Sequence, residues 1–134
     1  MKKLLSITAL SIIASTTIFA SGKVTICPSV SALQSVPFNY AREVNGTWST
    51  GVYRNNFNTE FSWLFLIDGI SAQDEEHAIK TGNEVVKHMN FERGPIHTKS
   101  GGYEFDYCVY LTDRGFEGYA YTFDDGNTDF RFRK

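Results

Sequence analysis

The sequence predicts an α+β domain: an antiparallel sheet of about six strands, one long helix packed on a face, and a short N-terminal helix tied by a disulfide. Three observations predict it. Asn45-Gly46 separates two apolar runs, a strong short-range hairpin signal. After Ser71, apolar residues recur at the helical period. From Tyr103 to Thr112 they alternate with a period of two, as in a strand.

The chain begins with Lys2 and Lys3, an apolar run from Leu4 to Phe19, and the small residues Ala20-Ser21-Gly22. These are the three parts of a cleavable secretory signal peptide, residues 1–20, with cleavage after Ala20 favoured and cleavage after Gly22 as the alternative. The run is shorter and more polar than a bilayer-spanning helix requires. Ile26 before Cys27 is not the small residue a lipoprotein signal needs. Residues 21–134 then form a single domain, exported to the periplasm or the medium, with no later segment able to span a membrane as a helix.

Two cysteines, Cys27 and Cys108, fall in that domain. An even pair in an exported protein forms a disulfide. The whole chain has a formal net charge of −2, and loss of the two signal lysines makes the remainder more acidic. That balance disfavours nucleic acid and anionic membrane surfaces as partners.

The elements follow in order. Val30, Leu33 and Val36 have helical spacing between Pro28 and Pro37, so a short helix is expected there. Phe38 to Glu43 and Thr47 to Arg54 flank the Asn-Gly turn as a hairpin. Phe61 to Ile67 is apolar on both faces after Ser62, the pattern of a central strand covered on both sides. The long helix is expected to start at Ser71, with Asp74 completing a capping box, and to stop at Gly94-Pro95. Ala78, Ile79, Gly82, Val85, Val86 and Met89 form its core face.

The last third is strand. Tyr103, Phe105, Tyr107, Val109 and Leu111 alternate with Glu104, Asp106, Cys108, Tyr110 and Thr112. The bulkier set is assigned to the core, which places Cys108 on the opposite side, where the disulfide straps the N-terminal helix across the second face or an edge. Phe116 to Phe123 and Asp129 to Arg133 complete the sheet around the turn Asp124-Asp125-Gly126-Asn127.

Few residues point to chemistry. Paired cysteines leave no thiolate, and no serine occupies a Gly-x-Ser-x-Gly elbow, so an enzyme is not expected. His77, Glu84 and His88 share the polar side of the helix. The two histidines are eleven residues apart, about 16 Å at 1.5 Å per residue, too far to share an ion, so no metal site is expected. The acidic 124–129 stretch lacks the EF-hand spacing and its closing glutamate.

The distinctive feature is aromatic content: 11 Phe, 7 Tyr and 2 Trp. Tyr119 and Tyr121 have opposite parity to Phe116, so rings occupy both faces of the sheet. Either two layers cover the sheet, or an aromatic surface binds something flat or apolar.

The stretch Cys27 to Val36 (Cys-Pro-Ser-Val-Ser-Ala-Leu-Gln-Ser-Val), with the later strand carrying Cys108, resembles a group of small exported proteins of Legionella-type gammaproteobacteria, some labelled hemin-binding. The resemblance implies an envelope or secreted location and a ligand-binding role. Hemin iron needs an axial side chain and the porphyrin a flat apolar slot. His97, Tyr103 and Tyr107, after the helix, are the candidate ligand-binding residues. The expected function is thus a non-enzymatic exported binding protein, for hemin or another flat apolar ligand, with heme as the cofactor in question. The alternative is a protein–protein interaction module, an inhibitor or effector.

Overall fold

The computed structural model describes Val24 and residues 26–123. The expected signal peptide, the expected turn at 124–127 and the strand expected at 129–133 lie outside the described residues. Within them, two helices and six strands follow as α1 (Val30–Gln34), β1 (Tyr40–Val44), β2 (Thr47–Asn55), β3 (Trp63–Ile70), α2 (Glu75–Val85), β4 (Met89–Ser100), β5 (Tyr103–Thr112) and β6 (Glu117–Phe123). The sheet is antiparallel throughout, in the order β1-β2-β3-β6-β5-β4. The expected α+β class is what the chain adopts.

Local chemistry explains the boundaries. Asn45 and Gly46 both have positive φ (50° and 85°), as a two-residue hairpin turn requires. Ser29 caps α1, its hydroxyl accepting from the Ala32 N–H at 3.2 Å. β3 is buried from Trp63 through Ile67, as a central strand covered on both sides should be.

Helix α2 starts later than the sequence implies. Asp74 is itself the cap, accepting from the His77 N–H at 2.9 Å, rather than the far partner of Ser71. The helix also stops earlier. A 3-10 turn at Val86–His88 follows, and Met89 already begins β4. Gly94-Pro95 therefore lies inside a strand, as a cis peptide at a register irregularity, and not at a helix end. The helical arc merged three elements because Val86 and Met89 are buried with Val85 for separate reasons.

Both helices lie on one face of the sheet. Its core joins Leu33, Phe38, Val52, Trp63, Phe65, Ile67, Val85, Val86, Cys108, Tyr110 and Ala120. Polar links fix the helices there: Gln34 Nε2 donates to the Val86 carbonyl at 2.9 Å, and the Phe38 N–H donates to Asn83 Oδ1 at 2.9 Å.

Cys27 and Cys108 are bonded, with Cα atoms 5.9 Å apart. Cys108, fully buried, is on the core face, so the expected parity of β5 is reversed. Asp106, Cys108, Tyr110 and Thr112 face the helices. Phe105, Tyr107, Val109 and Leu111 face the other way. The reason is spatial: the disulfide and α1 fill the volume above β5, leaving that side to a sulfur bridge and one anchored ring. Tyr110 is fully buried and donates to the Pro28 carbonyl at 2.5 Å, and burial pushes its phenol well above the usual range. Gly94 crosses this spot, where a Cβ would sit 3.1 Å from Cys27 Sγ and 3.0 Å from Cys108 Cα.

Candidate functional site

Among the described residues, no helix lies on the second face of the sheet, and that face carries a contiguous cluster of four rings. Register places Leu64, Tyr121, Tyr107 and Ile96 in one row across β3, β6, β5 and β4. Leu66, Tyr119, Val109 and Arg93 form the next row. Phe105 adjoins the first row. Its ring lies 6.1 Å from Tyr121 and 6.3 Å from Tyr107, and Tyr107 is 6.3 Å from Tyr121. Tyr119 and Tyr121 stack at 5.8 Å with an interplanar angle of 19°.

Leu64, Leu66 and Val109 on this face are only 6, 6 and 1 % exposed. The half-buried rings beside them form a thin second apolar layer. Farther along the face, Tyr40 and Tyr53 pair at 5.8 Å. Phe105, Tyr107, Tyr119 and Tyr121 are each half-buried.

The cluster is polar at its margin. Tyr119 donates its hydroxyl to Glu117 Oε2. That hydrogen bond first, then burial and the charges of Glu117 and Asp68, pushes the Tyr119 phenol up to about 12. Tyr121 is also raised, mainly by burial and then by Asp68. Ser49 donates to Asp68 Oδ1 at 2.5 Å.

The three residues proposed from sequence do not converge. Tyr107 belongs to the ring cluster. Tyr103, 55 % exposed, starts β5 beside the Gly101-Gly102 turn. His97 pairs with Asp106, so it points to the helix side, opposite Tyr107. It therefore cannot share one ligand with Tyr107 across the sheet.

His97 has its own site. Its Nδ1 lies 2.8 Å from Oδ1 of Asp106, whose other oxygen accepts from the Val24 N–H at 3.1 Å. Asp106 is 1 % exposed. With a carboxylate as acceptor, the imidazole proton sits on Nδ1. Nε2 is then on the outer side, 3.8 Å from Glu104 Oε2, and Glu104 pairs with Lys99 Nζ at 2.7 Å. Asp106 was missed as a partner of His97, although the Gly-Gly turn supplies the signal. A two-residue loop at Gly101-Gly102 pairs Ser100 with Tyr103 and, by counting back, His97 with Asp106.

His77 is taken up by the helix cap, its Nδ1 2.7 Å from Asp74 Oδ1. Among the described residues no group of three His, Cys, Asp or Glu side chains is placed to hold a metal. An apolar notch of about 330 Å³ lies elsewhere, between Ile26, Cys27, Val30, Phe91, Gly94 and Pro95. Its one ring is Phe91, and no histidine or tyrosine lines it.

A family model described as a domain of unknown function (DUF4949) matches residues 26–128, and the chain belongs to that family. No curated protein and no solved structure matches it.

Proposed function

We propose that this member of the DUF4949 family is an exported, non-enzymatic binding protein that holds a polypeptide partner on the aromatic face of its sheet. The observation that carries the reading is the contiguous cluster of Phe105, Tyr107, Tyr119 and Tyr121 on a face where no described helix packs. Tyrosine offers large contact area at low conformational cost and keeps a hydrogen-bonding edge, so it is favoured at protein contacts. Rings spread along two neighbouring strands, β5 and β6, suit another protein's extended surface better than one enclosed small molecule. Export rests on the N-terminal signal pattern and on the disulfide, a bond that persists in oxidising compartments.

The test is site-specific photo-crosslinking in the producing cell, with a benzoylphenylalanine probe at position 107 or, as control, at Lys80 on the exposed side of α2. Discrete adducts from position 107 and none from position 80 are expected. Equal labelling from both, or none from either, would refute the reading.

Hemin is the second reading, favoured by one observation. A buried carboxylate that holds Nδ1 of a histidine orients Nε2 as an axial ligand, and Asp106 does this for His97. The donor fits, but its described neighbours Lys99, Glu104 and Asp106 are charged and do not make a flat apolar slot. Hemin therefore ranks behind a protein partner. Saturable Soret perturbation near one hemin per chain, abolished by His97→Ala and unchanged by His77→Ala, would reverse that order.

A further inference from the structure

The two carboxylates at the margin of the ring cluster stand on neighbouring strands. Ile67 pairs with Gly118, so Asp68 and Glu117 are the next residues on β3 and β6, side by side on the aromatic face. Like charges across a strand pair repel. Ser49 and Tyr119 each hold one of them in place by a hydrogen bond. Arg42 and Arg93 are on the same face, each two strands away by backbone, Arg42 from Asp68 and Arg93 from Glu117, and the charge of Arg93 still reaches Tyr119. At the strand spacing that is roughly 10 Å between backbones.

Beside this acidic pair lies the stacked pair Tyr119 and Tyr121, whose ring faces carry negative charge density. The phenols of both are raised, Tyr119 first by its Glu117 hydrogen bond and Tyr121 first by burial; the charge of Asp68 adds to both, and that of Arg93 opposes it at Tyr119. The matching chemistry occurs elsewhere among the described residues: the Arg54 guanidinium carbon lies 5.5 Å over the Tyr53 ring.

We infer that the end of the aromatic face bounded by Asp68, Glu117 and Tyr119 takes a basic side chain of the partner polypeptide. An arginine or lysine there neutralises the repulsion between the carboxylates and seats on the ring by cation–π attraction. This rests on the aromatic face being the contact surface, and it adds the charge of what docks there.

The experiment titrates the full chain by calorimetry with three peptides of equal length: Gly-spaced tetra-arginine, its citrulline isostere, and the glutamate counterpart. The arginine peptide should bind saturably, about tenfold tighter than the citrulline peptide, with affinity falling as salt rises. Asp68→Asn combined with Glu117→Gln should reduce arginine binding to the citrulline level. This variant keeps an acceptor oxygen for Ser49 and for Tyr119, so it should still fold, as a cooperative thermal melt would check. Equal binding of arginine and citrulline peptides, abolished for both by Tyr119→Ala, would overturn the charge inference and leave the contact face standing. Absence of saturable arginine binding overturns the inference too. If position 107 also gives no photo-adduct, the contact face falls with it.

Discussion

Gly82 lies in the middle of α2, where alanine ordinarily stabilises a helix by about 1 kcal/mol over glycine. Here the sign should reverse. A Cβ at position 82 would sit 2.6 Å from Phe38 Cδ2, 2.6 Å from Thr50 Cγ2 and 2.7 Å from Phe38 Cε2. Neither neighbour yields easily. Thr50 is fully buried and its hydroxyl donates to the Tyr40 carbonyl at 2.9 Å. Phe38, 5 % exposed, packs edge-on against Phe65 at 6.0 Å. Overpacking of this kind costs about 1–3 kcal/mol. With three contacts under 3 Å the upper half of that range applies, so Gly82→Ala should lose roughly 1–2 kcal/mol net of the propensity gain. Urea unfolding followed by tryptophan fluorescence reads this directly, because Trp63 is 1 % exposed when folded. The midpoint should fall with an unchanged slope, and Phe38→Leu in the Gly82→Ala background should recover part of the loss. A higher midpoint for Gly82→Ala would refute the close packing of α2 against Phe38 and Thr50.

Three further outcomes follow from particular contacts. Reduction of the Cys27–Cys108 bond, which spans a sequence separation of 81, should lower stability by about 4–5 kcal/mol on the loop-entropy model; an unchanged denaturation midpoint under reductant would contradict it. Asp106→Ala removes the acceptor of both Val24 N–H and His97 Nδ1 and should cost about 1–3 kcal/mol, whereas Asp106→Asn, which can still accept, should cost less by chemical denaturation. Tyr119 is raised to about 12 in the fold against roughly 10 unfolded, so the unfolded chain releases that proton first. Its contribution is intact below about pH 10 and is lost as pH rises through about 12. Tyr119→Phe should flatten that alkaline loss, and an identical pH profile for the two proteins would count against the Glu117 hydrogen bond.

Much of this fold is legible because turn chemistry and local period act over short distances. The Asn-Gly hairpin, the doubly covered β3 and the cysteine pairing all follow from residues that leave few alternatives. The strand β4 is not legible in the same way. From Met89 to Ser100 it carries two register irregularities, and four of its first five residues are exposed. With apolar residues on one edge only, it shows no period of two. Its first residue, Met89, also completes a false helical arc with Val85 and Val86. The paired Ser100-Gly101-Gly102-Tyr103 turn is the feature that would have exposed it.

The reversed parity of β5 has a more general cause. Alternation separates two sets of side chains, but it does not say which set meets the helices. Ranking by bulk assigns Phe105 and Tyr107 to the core, and that ranking fails because other groups already fill the space there. Above β5 and β6 lie α1, the disulfide and Gly94. On the core face Gly118 and Ala120 are small, and a Cβ at Gly118 would come 3.1 Å from the Phe65 ring. With that layer filled, the large rings of Phe105, Tyr107, Tyr119 and Tyr121 go to the opposite face, half-buried beside Leu64, Leu66 and Val109. A chain that needed only a folded core could place polar residues there. It places four touching rings and two adjacent carboxylates instead, which is why the surface is read as one that meets a partner.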